Sequence, residues 1–458
     1  QISKTSNPDP TNVADWITID PLATYTTTNA LIFKSSSKIR FVPAANYFGT
    51  PGTLTVRVAD GSTNLDSYIS NSASSTYNIK DTVGGTGSTG SWSATNRTIG
   101  TTVDGVNDAP TAANTPLASV DEGTASPSGV DIATIGFGYS DAIDNKLSIA
   151  GGGDASNTIK GIAIVGNAAN SNTQGYWEYK LSGSGSWIPV GDAYFGDLPA
   201  DNSAILLPYD TLIRFRPLGN FNGAPGSLVV RVSDDTVNYA TGEDIRGVSS
   251  SSTGHWSTSA TSLSTTINAI NDAPIASGSA SLANIDEDIV DSVNIGATIS
   301  SIFKDNFSDL TDNMTGSAVS GGSVSNTLAG IALSSYTRDV NKGEWQYLTS
   351  GSQNWTNIST NLSSTNALTL NATTKLRFVP AANYNGKATP ISANLIETGT
   401  SLLTVGGSAT ITDGSIISLS NATGGIKRIS TDSVALSEDI NPINEIPQVQ
   451  ADANTSGL

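Results

Sequence analysis

The 458-residue chain has no cysteine, one histidine and one methionine, and only 14% of its residues are charged. Without cysteine, neither disulfides nor thiolate metal centres can form. A lone histidine, His255, cannot build a histidine-rich metal site, and no nucleophile elbow or phosphate-binding glycine loop accompanies it. Long apolar runs are missing as well: nothing approaches the roughly 18–20 residues that span a bilayer as a helix. The opening residues lack the basic and apolar regions of a secretion signal. Basic residues are scarce, 22 Lys and Arg against 40 Asp and Glu, giving a formal charge of −18. That balance excludes phosphate-backbone binding as a sensible function and makes divalent cations the natural partner.

What the chain does have is 45 glycines and long stretches of Ser, Thr and Asn. This composition suits short strands joined by many turns, not helices. It also carries an internal repeat. One marker runs from Ile39-Arg40-Phe41-Val42-Pro43 through Asn46-Tyr47-Phe48-Gly49, then from Ile213-Arg214-Phe215-Arg216-Pro217 through Asn220-Phe221-Asn222-Gly223, and again from Leu376-Arg377-Phe378-Val379-Pro380 through Asn383-Tyr384-Asn385-Gly386. The prolines stand 174 and 163 residues apart. A second marker, Asn107-Asp108-Ala109-Pro110, Asn271-Asp272-Ala273-Pro274 and Asn444-Glu445-Ile446-Pro447, recurs with spacings of 164 and 173. Two markers with one period define a repeat array.

In the first marker, apolar and basic residues alternate as on a strand, proline ends it, and Asn-x-x-Gly supplies a turn whose glycine takes positive φ. A second alternating strand follows, Leu54–Val58, Leu228–Val232 or Ile391–Leu395, with one face expected buried and the other wet. Upstream, Trp177-Glu178-Tyr179-Lys180-Leu181 matches Trp345-Gln346-Tyr347. Trp187 and Trp355 lie ten residues further on, and Trp16 fills that slot in the first repeat. Trp177, Tyr179 and Leu181 share one face and Glu178 and Lys180 the other, which reads as a core strand and not as a sugar-stacking surface.

The pattern predicts tandem antiparallel β-sandwiches in an elongated row. Residues 1–109 form a partial repeat lacking its front portion, 110–273 and 274–447 form complete repeats, and 448–458 begin another. The chain is therefore expected to be a piece of a longer protein. The repeats exceed the roughly 100 residues of a simple immunoglobulin sandwich, so inserted strands or long loops are expected.

Acidic residues gather where domains should meet. Asp60, Asp234 and Glu397 stand 17 residues beyond their prolines, with Asp235 next to Asp234. The linkers hold Asn107, Asp108, Asn271 and Asp272, and just inside the following domains stand Asp121, Glu122, Asp286, Glu287 and Asp288. Ca²⁺ takes six to eight oxygens from carboxylates, amides and backbone, and a strand end, a linker and a first loop can supply them jointly. The third linker departs from pattern, with Glu445-Ile446 in place of Asp-Ala and Glu438-Asp439 before it. His255 aligns with Ser91 of the first repeat, as expected of a surface position and not of a catalytic residue.

The Asn-Asp-Ala-Pro linkers, the Asp-Glu pairs and the Phe-x-Pro-x-x-Asn-(Tyr/Phe)-x-Gly marker together resemble bacterial cadherin-like (Ig-like) tandem repeats of large surface adhesins, of the biofilm-associated and RTX types. The resemblance covers nearly the whole chain. It implies non-enzymatic sandwiches in a row, stiffened by interdomain Ca²⁺ and displayed on the bacterial cell surface. The expected role is a spacer whose partners are calcium and neighbouring repeats, with no nucleic acid and no membrane insertion. Two rivals remain: a subunit of a self-assembling filament or sheath, whose partners are identical chains, and a carbohydrate-binding module for surface glycans. The sequons at Asn306, Asn313, Asn354, Asn357, Asn361 and Asn371 leave glycosylation open.

Overall fold

The computed structural model describes residues 1–447 apart from 63, 81–84, 87–88, 147–148, 150–155, 193–195, 197, 250 and 315–321. The expected start of a further repeat, 448–458, lies outside the described residues. The chain is all-β, with antiparallel sheets packed as sandwiches, and none of the described helices is long and apolar enough to cross a membrane.

Two sandwiches share one topology. In the first, a six-stranded sheet runs in the order Ala240–Glu243, Ala204–Pro208, Gly161–Asn167, Leu228–Ser233, Thr261–Ser264 and Thr115–Pro116. A four-stranded sheet faces it: Ile188–Pro189, Gly175–Lys180, Leu212–Pro217 and Val130–Asp131. In the second, the order Ser415–Ile417, Ala367–Asn371, Leu328–Ser335, Ile391–Glu397, Ile429–Ser437 and Ser279–Ser281 repeats the larger sheet. Thr356–Asn357, Gly343–Leu348, Lys375–Pro380 and Ala297–Thr298 repeat the smaller one. Most neighbours are antiparallel, but the first strand of each sandwich lies parallel to the last: Thr115 beside Leu263, and Ala280 beside Leu436.

The Trp strands supply the core, as their alternation requires. Trp177 and Trp345 are completely buried and meet Phe215 and Phe378 edge-on at 5.2 and 5.4 Å between ring centroids. Each indole N–H crosses to the opposite sheet and donates to a backbone carbonyl, Gly226 or Thr389, at 2.7 Å. Burial of large apolar side chains like these contributes about 1.5–3 kcal/mol apiece. The turn glycines Gly49, Gly223 and Gly386 take φ of 118°, 101° and 122°, as the Asn-x-x-Gly pattern predicts.

Three sequence expectations are corrected. The outer face of the six-stranded sheet is not wet, because the segment after the central strand folds back over it. Ile245 and Trp256 cover Ala163 and Ala204, and Leu403, Ile411, Leu419 and Ala422 cover Ala332 and Ala367. These inserts account for the size of the repeats, and Asn394, on the face expected to meet water, is buried against the Ser430, Thr431 and Asp432 carbonyls. Glu178 is also buried: it accepts from Arg214 at 2.8 Å and from Arg216 at 2.9 Å. Arg214 in turn stacks 3.9 Å over Trp187. Gln346, Arg377 and Trp355 repeat this arrangement, as do Gln1, Arg40 and Trp16. Finally, residues 39–42 form no strand. Ile39 makes only an isolated bridge to Ile2, whose strand, Ile2–Ser3, is two residues long against six in Gly175–Lys180. That short strand pairs Ile2 with Ile17, the register of Tyr179 with Ile188.

Candidate cation sites

Three pieces of chain converge at the near end of each sandwich. The linker arrives first, with Asn107-Asp108 or Asn271-Asp272. Just beyond it, Thr111 bridges Ser140, and Ile275–Ala276 pairs with Phe307–Ser308. Those partner segments follow a short helix, Ile132–Ile135 or Ile299–Phe303, pinned by buried Ile132, Phe137, Ile299 and Phe303. The pairing therefore delivers Asp141 and Asp144, or Asp309 and Asp312, to the linker. The third piece is the end of the central strand, where Asp234 or Glu397 is buried.

The two clusters match bond for bond. The Asp108 backbone N–H donates to Asp144 at 3.1 Å, and that of Asp272 donates to Asp312 at 3.1 Å. The Asn157 N–H donates to Asp141 at 2.7 Å, and the Asn326 N–H donates to Asp309. The Asn157 amide donates to the Asn107 side-chain oxygen at 3.5 Å, and the Asn326 amide to that of Asn271 at 3.2 Å. Carboxylate oxygens of Asp141, Asp144 and Asp234 lie within 4.8 Å of one another, close enough to hold one metal ion. His255 brings Nδ1 to 3.0 Å from Asp234 while its own side chain stays half exposed. In the next repeat the matching residue is Arg428, whose guanidinium serves backbone carbonyls of Glu397, Ser401 and Ala409.

The preceding sandwich also reaches the second cluster. Glu122 is buried at its far end, gripped by the Asn222 amide at 3.1 Å and by the Ile270 N–H. Burial is what chiefly raises the pKa of Asp312, and the Glu122 charge adds to it last, across the joint. Glu287 is held in the same way at the far end of the next sandwich, by Asn385 at 2.9 Å and the Ile443 N–H at 2.8 Å.

The electrostatics of both clusters are unbalanced. Burial, reinforced by the neighbouring carboxylates, pushes Asp141 and Asp312 up to about 6 and Glu397 up to about 8 and raises Asp309, and burial alone raises Asp234 against the opposing Asn107 and His255. Among the described residues, no lysine or arginine forms an ion pair with any of these acids. Four of their oxygens are buried without a hydrogen-bond partner: Asp141 Oδ1 and Asp234 Oδ2 in one cluster, Asp309 Oδ1 and Glu397 Oε2 in the other. A buried carboxylate left so is costly unless a cation meets it. The donor set is hard oxygen throughout, which fits Ca²⁺ and not a soft transition metal.

Of the residues expected from sequence, Asn107, Asp108 and Asp234 meet at the first cluster, and Asn271 and Asp272 at the second with Glu122 beside them. Asp60 does not join a cluster: its carboxylate accepts from Ser62 in a turn. Asp121 and Asp286 are exposed and hold Asn268 and Asn441 at 2.9 and 3.1 Å. Asp235 is exposed and accepts from the Thr236 N–H, and exposed Asp288 accepts from the Asn383 N–H. Sequence reasoning missed Asp141, Asp144, Asp309 and Asp312. The signal was present, since Ser140-Asp141-Ala142-Ile143-Asp144-Asn145 and Ser308-Asp309-Leu310-Thr311-Asp312-Asn313 are one motif in two copies. Trp345, the tryptophan a glycan platform in this strand would need at the surface, is completely buried and has no exposed surface to offer a sugar.

No protein-family profile and no curated protein sequence matches the chain. Among solved structures, Drosophila N-cadherin EC1-4 is similar at 11% identity and a TM-score of 0.26, over 76% of this chain and 52% of that one. The human desmocollin-1 ectodomain is similar at 9% identity and a TM-score of 0.20, over 80% and 68%. An endo-fucoidan hydrolase of glycoside hydrolase family 107 is similar at 10% identity and a TM-score of 0.19, over 78% and 33%. The chain thus spans about a third of the hydrolase and half of the N-cadherin structure. At these scores none of the three carries an argument about function.

Proposed function

We propose that this chain is a non-catalytic segment of a large extracellular, bacterial surface protein, a spacer whose joints are stiffened by calcium. The domains would be a partial repeat over 1–109, two complete cadherin-like repeats over 110–273 and 274–447, and the beginning of another. At the first joint Asn107, Asp108, Asp141, Asp144 and Asp234 would hold the ion. At the second, Asn271, Asp272, Asp309, Asp312 and Glu397 would hold it, with Glu122 contributed by the preceding repeat. A bound dication would meet the carboxylate oxygens that no described lysine or arginine pairs with. The protein's part is to hold the carboxylates in place through the linker N–H groups and the paired asparagines, so that linker and sandwich become one body when the charge is met.

One observation carries this reading: two register-matched acid clusters, each with buried, unpartnered carboxylate oxygens and neither, among the described residues, with a lysine or arginine ion-paired to them, the first bringing three carboxylates within 4.8 Å of one another. Isothermal calorimetry with calcium, paired with small-angle scattering in calcium and in EGTA, tests it. Uptake of calcium together with a stiffer, more thermostable particle is the expected result. Absence of both uptake and any change in shape would remove the cation-linker reading and leave the clusters as protonated turns.

A further inference from the structure

Residues 309–314 and 322–326 touch two sandwiches. Asp309, Asp312 and Asn326 face the linker of their own sandwich, as described above. Met314, two residues beyond Asp312, instead packs against the hydrophobic core of the preceding sandwich. Its backbone N–H donates to the Ser323 carbonyl at 3.0 Å, which ties the two segments together. Ser323 then binds across the joint in both directions. Its N–H donates to the Asn222 side-chain oxygen at 2.7 Å, and its hydroxyl accepts from the Asn222 amide at 2.9 Å. The same hydroxyl donates to the Asp312 carbonyl. Asn222 is completely buried, and its amide grips Glu122 as well.

We infer that residues 309–314 and 322–326 form a docking arm: Met314 is a peg in the preceding sandwich, Ser323 and Asn222 form the clamp, and together they set the angle between the two repeats. The inference rests on the cation reading for one clause only, that calcium at Asp309 and Asp312 orders the arm. The arm thus separates two properties that a purely ion-bridged joint would merge, namely how tightly the ion is held and how rigidly the repeats are coupled. The chain holds its own contrast. At the first joint the residue matching Met314 is Lys146, whose ammonium reaches back to the Ile143 carbonyl, and the residue matching Asn222 is Phe48. Among the described residues, the first joint therefore has the acids but neither the methionine nor the asparagine of the second.

The test uses the full chain. Because it has no cysteine, Asn202→Cys and Thr365→Cys place two spin labels uniquely, on exposed sites of the two sandwiches. Dipolar spectroscopy gives the spread of distances between them, and calorimetry on the same samples gives calcium stoichiometry. Met314→Lys copies the first joint. As a second route, dilute hydrogen peroxide oxidises the single methionine of the unsubstituted arm. The O–O bond breaks, one oxygen bonds to the thioether sulfur as sulfoxide, and the other leaves as water. The expected result is a narrow distance distribution in calcium that broadens in Met314→Lys and after peroxide, while calcium stoichiometry is unchanged. A distribution that stays narrow in both, with calcium bound, overturns the docking arm, and so does one that is already broad in the unsubstituted arm. If the protein takes up no calcium yet its narrow distribution still broadens in Met314→Lys, the cation reading falls and the docking arm stands.

Discussion

The Asn271 amide donates to one oxygen of Glu397 at 2.6 Å, while the other oxygen of Glu397 is buried and unpartnered. A neutral donor satisfies half of a carboxylate and leaves its charge unmet. The joint is thereby poised between two occupants of that charge, a proton and a metal ion.

The first prediction is a pH dependence that calcium removes. Burial raises Glu397 from an ordinary 4.5 to about 8, and Asp141 and Asp312 from 3.8 to about 6. Acids raised in this way favour the folded state while protonated. Their contribution is complete below the ordinary values and is lost as pH rises through about 6 and then about 8. In EGTA the melting temperature should therefore fall between pH 5 and pH 8.5, and in calcium most of that slope should vanish. Glu438, raised to about 8 by burial in the core of the second sandwich and remote from the linker acids, keeps a residual slope in both buffers. Melting curves across that range in the two buffers check this, and parallel slopes would contradict it.

Neutralising the buried acid should act with opposite sign in the two buffers. Glu397→Gln removes an unmet charge and should raise the melting temperature in EGTA at pH 8. It should also abolish most of the rise that calcium gives. For domains of this size, about 1 kcal/mol corresponds to roughly 2–4 °C. A variant that melts lower in EGTA would show that the carboxylate is satisfied by something other than a cation.

The buried Glu178 should be far less tolerant of truncation than of amidation. Arg214 is buried beneath it and also donates to the Pro127 carbonyl at 2.8 Å. Glu178→Ala leaves that guanidinium without its carboxylate, at a cost of about 3–5 kcal/mol. Glu178→Gln reproduces the Gln346–Arg377 pair, whose two bonds of 2.9 and 2.7 Å hold the same stack in the other sandwich, and should cost far less. Urea unfolding of the two variants distinguishes the outcomes.

Trp345→Ala should unfold the second sandwich rather than silence a binding surface. The ring is completely buried and its N–H ties the two sheets through Thr389. Removal of such a side chain costs about 3–5 kcal/mol. A folded, fully stable variant that has lost glycan binding would revive the carbohydrate reading.

The strands and turns were legible because their determinants are local: alternation in Leu212–Pro217, proline at its end, and a glycine of positive φ in the turn. The covered outer face was not legible. Ile411 and Leu419 cover Ala332 from 79 and 87 positions later in the chain, and Ala367 from 44 and 52, only through the folded insert, and Ser- and Gly-rich sequence carries no period that announces it. The candidate sites were half legible. Linker residues such as Asn271 and Asp272 stand out beside a proline, whereas Asp309 and Asp312 reach them through a bridge between Ile275 and Ser308 that no local pattern encodes. Only comparison of the two Ser-Asp-x-x-Asp-Asn copies would have exposed them.

The first and last strands of each sandwich run side by side in the same direction, Thr115 beside Leu263 and Val120 beside Ile267, then Ala280 beside Leu436 and Ile285 beside Ile440. Tension applied through the two linkers draws such a pair apart along its length, so its hydrogen bonds bear the load together instead of peeling one at a time. A sandwich wired in this way yields to pulling by shear.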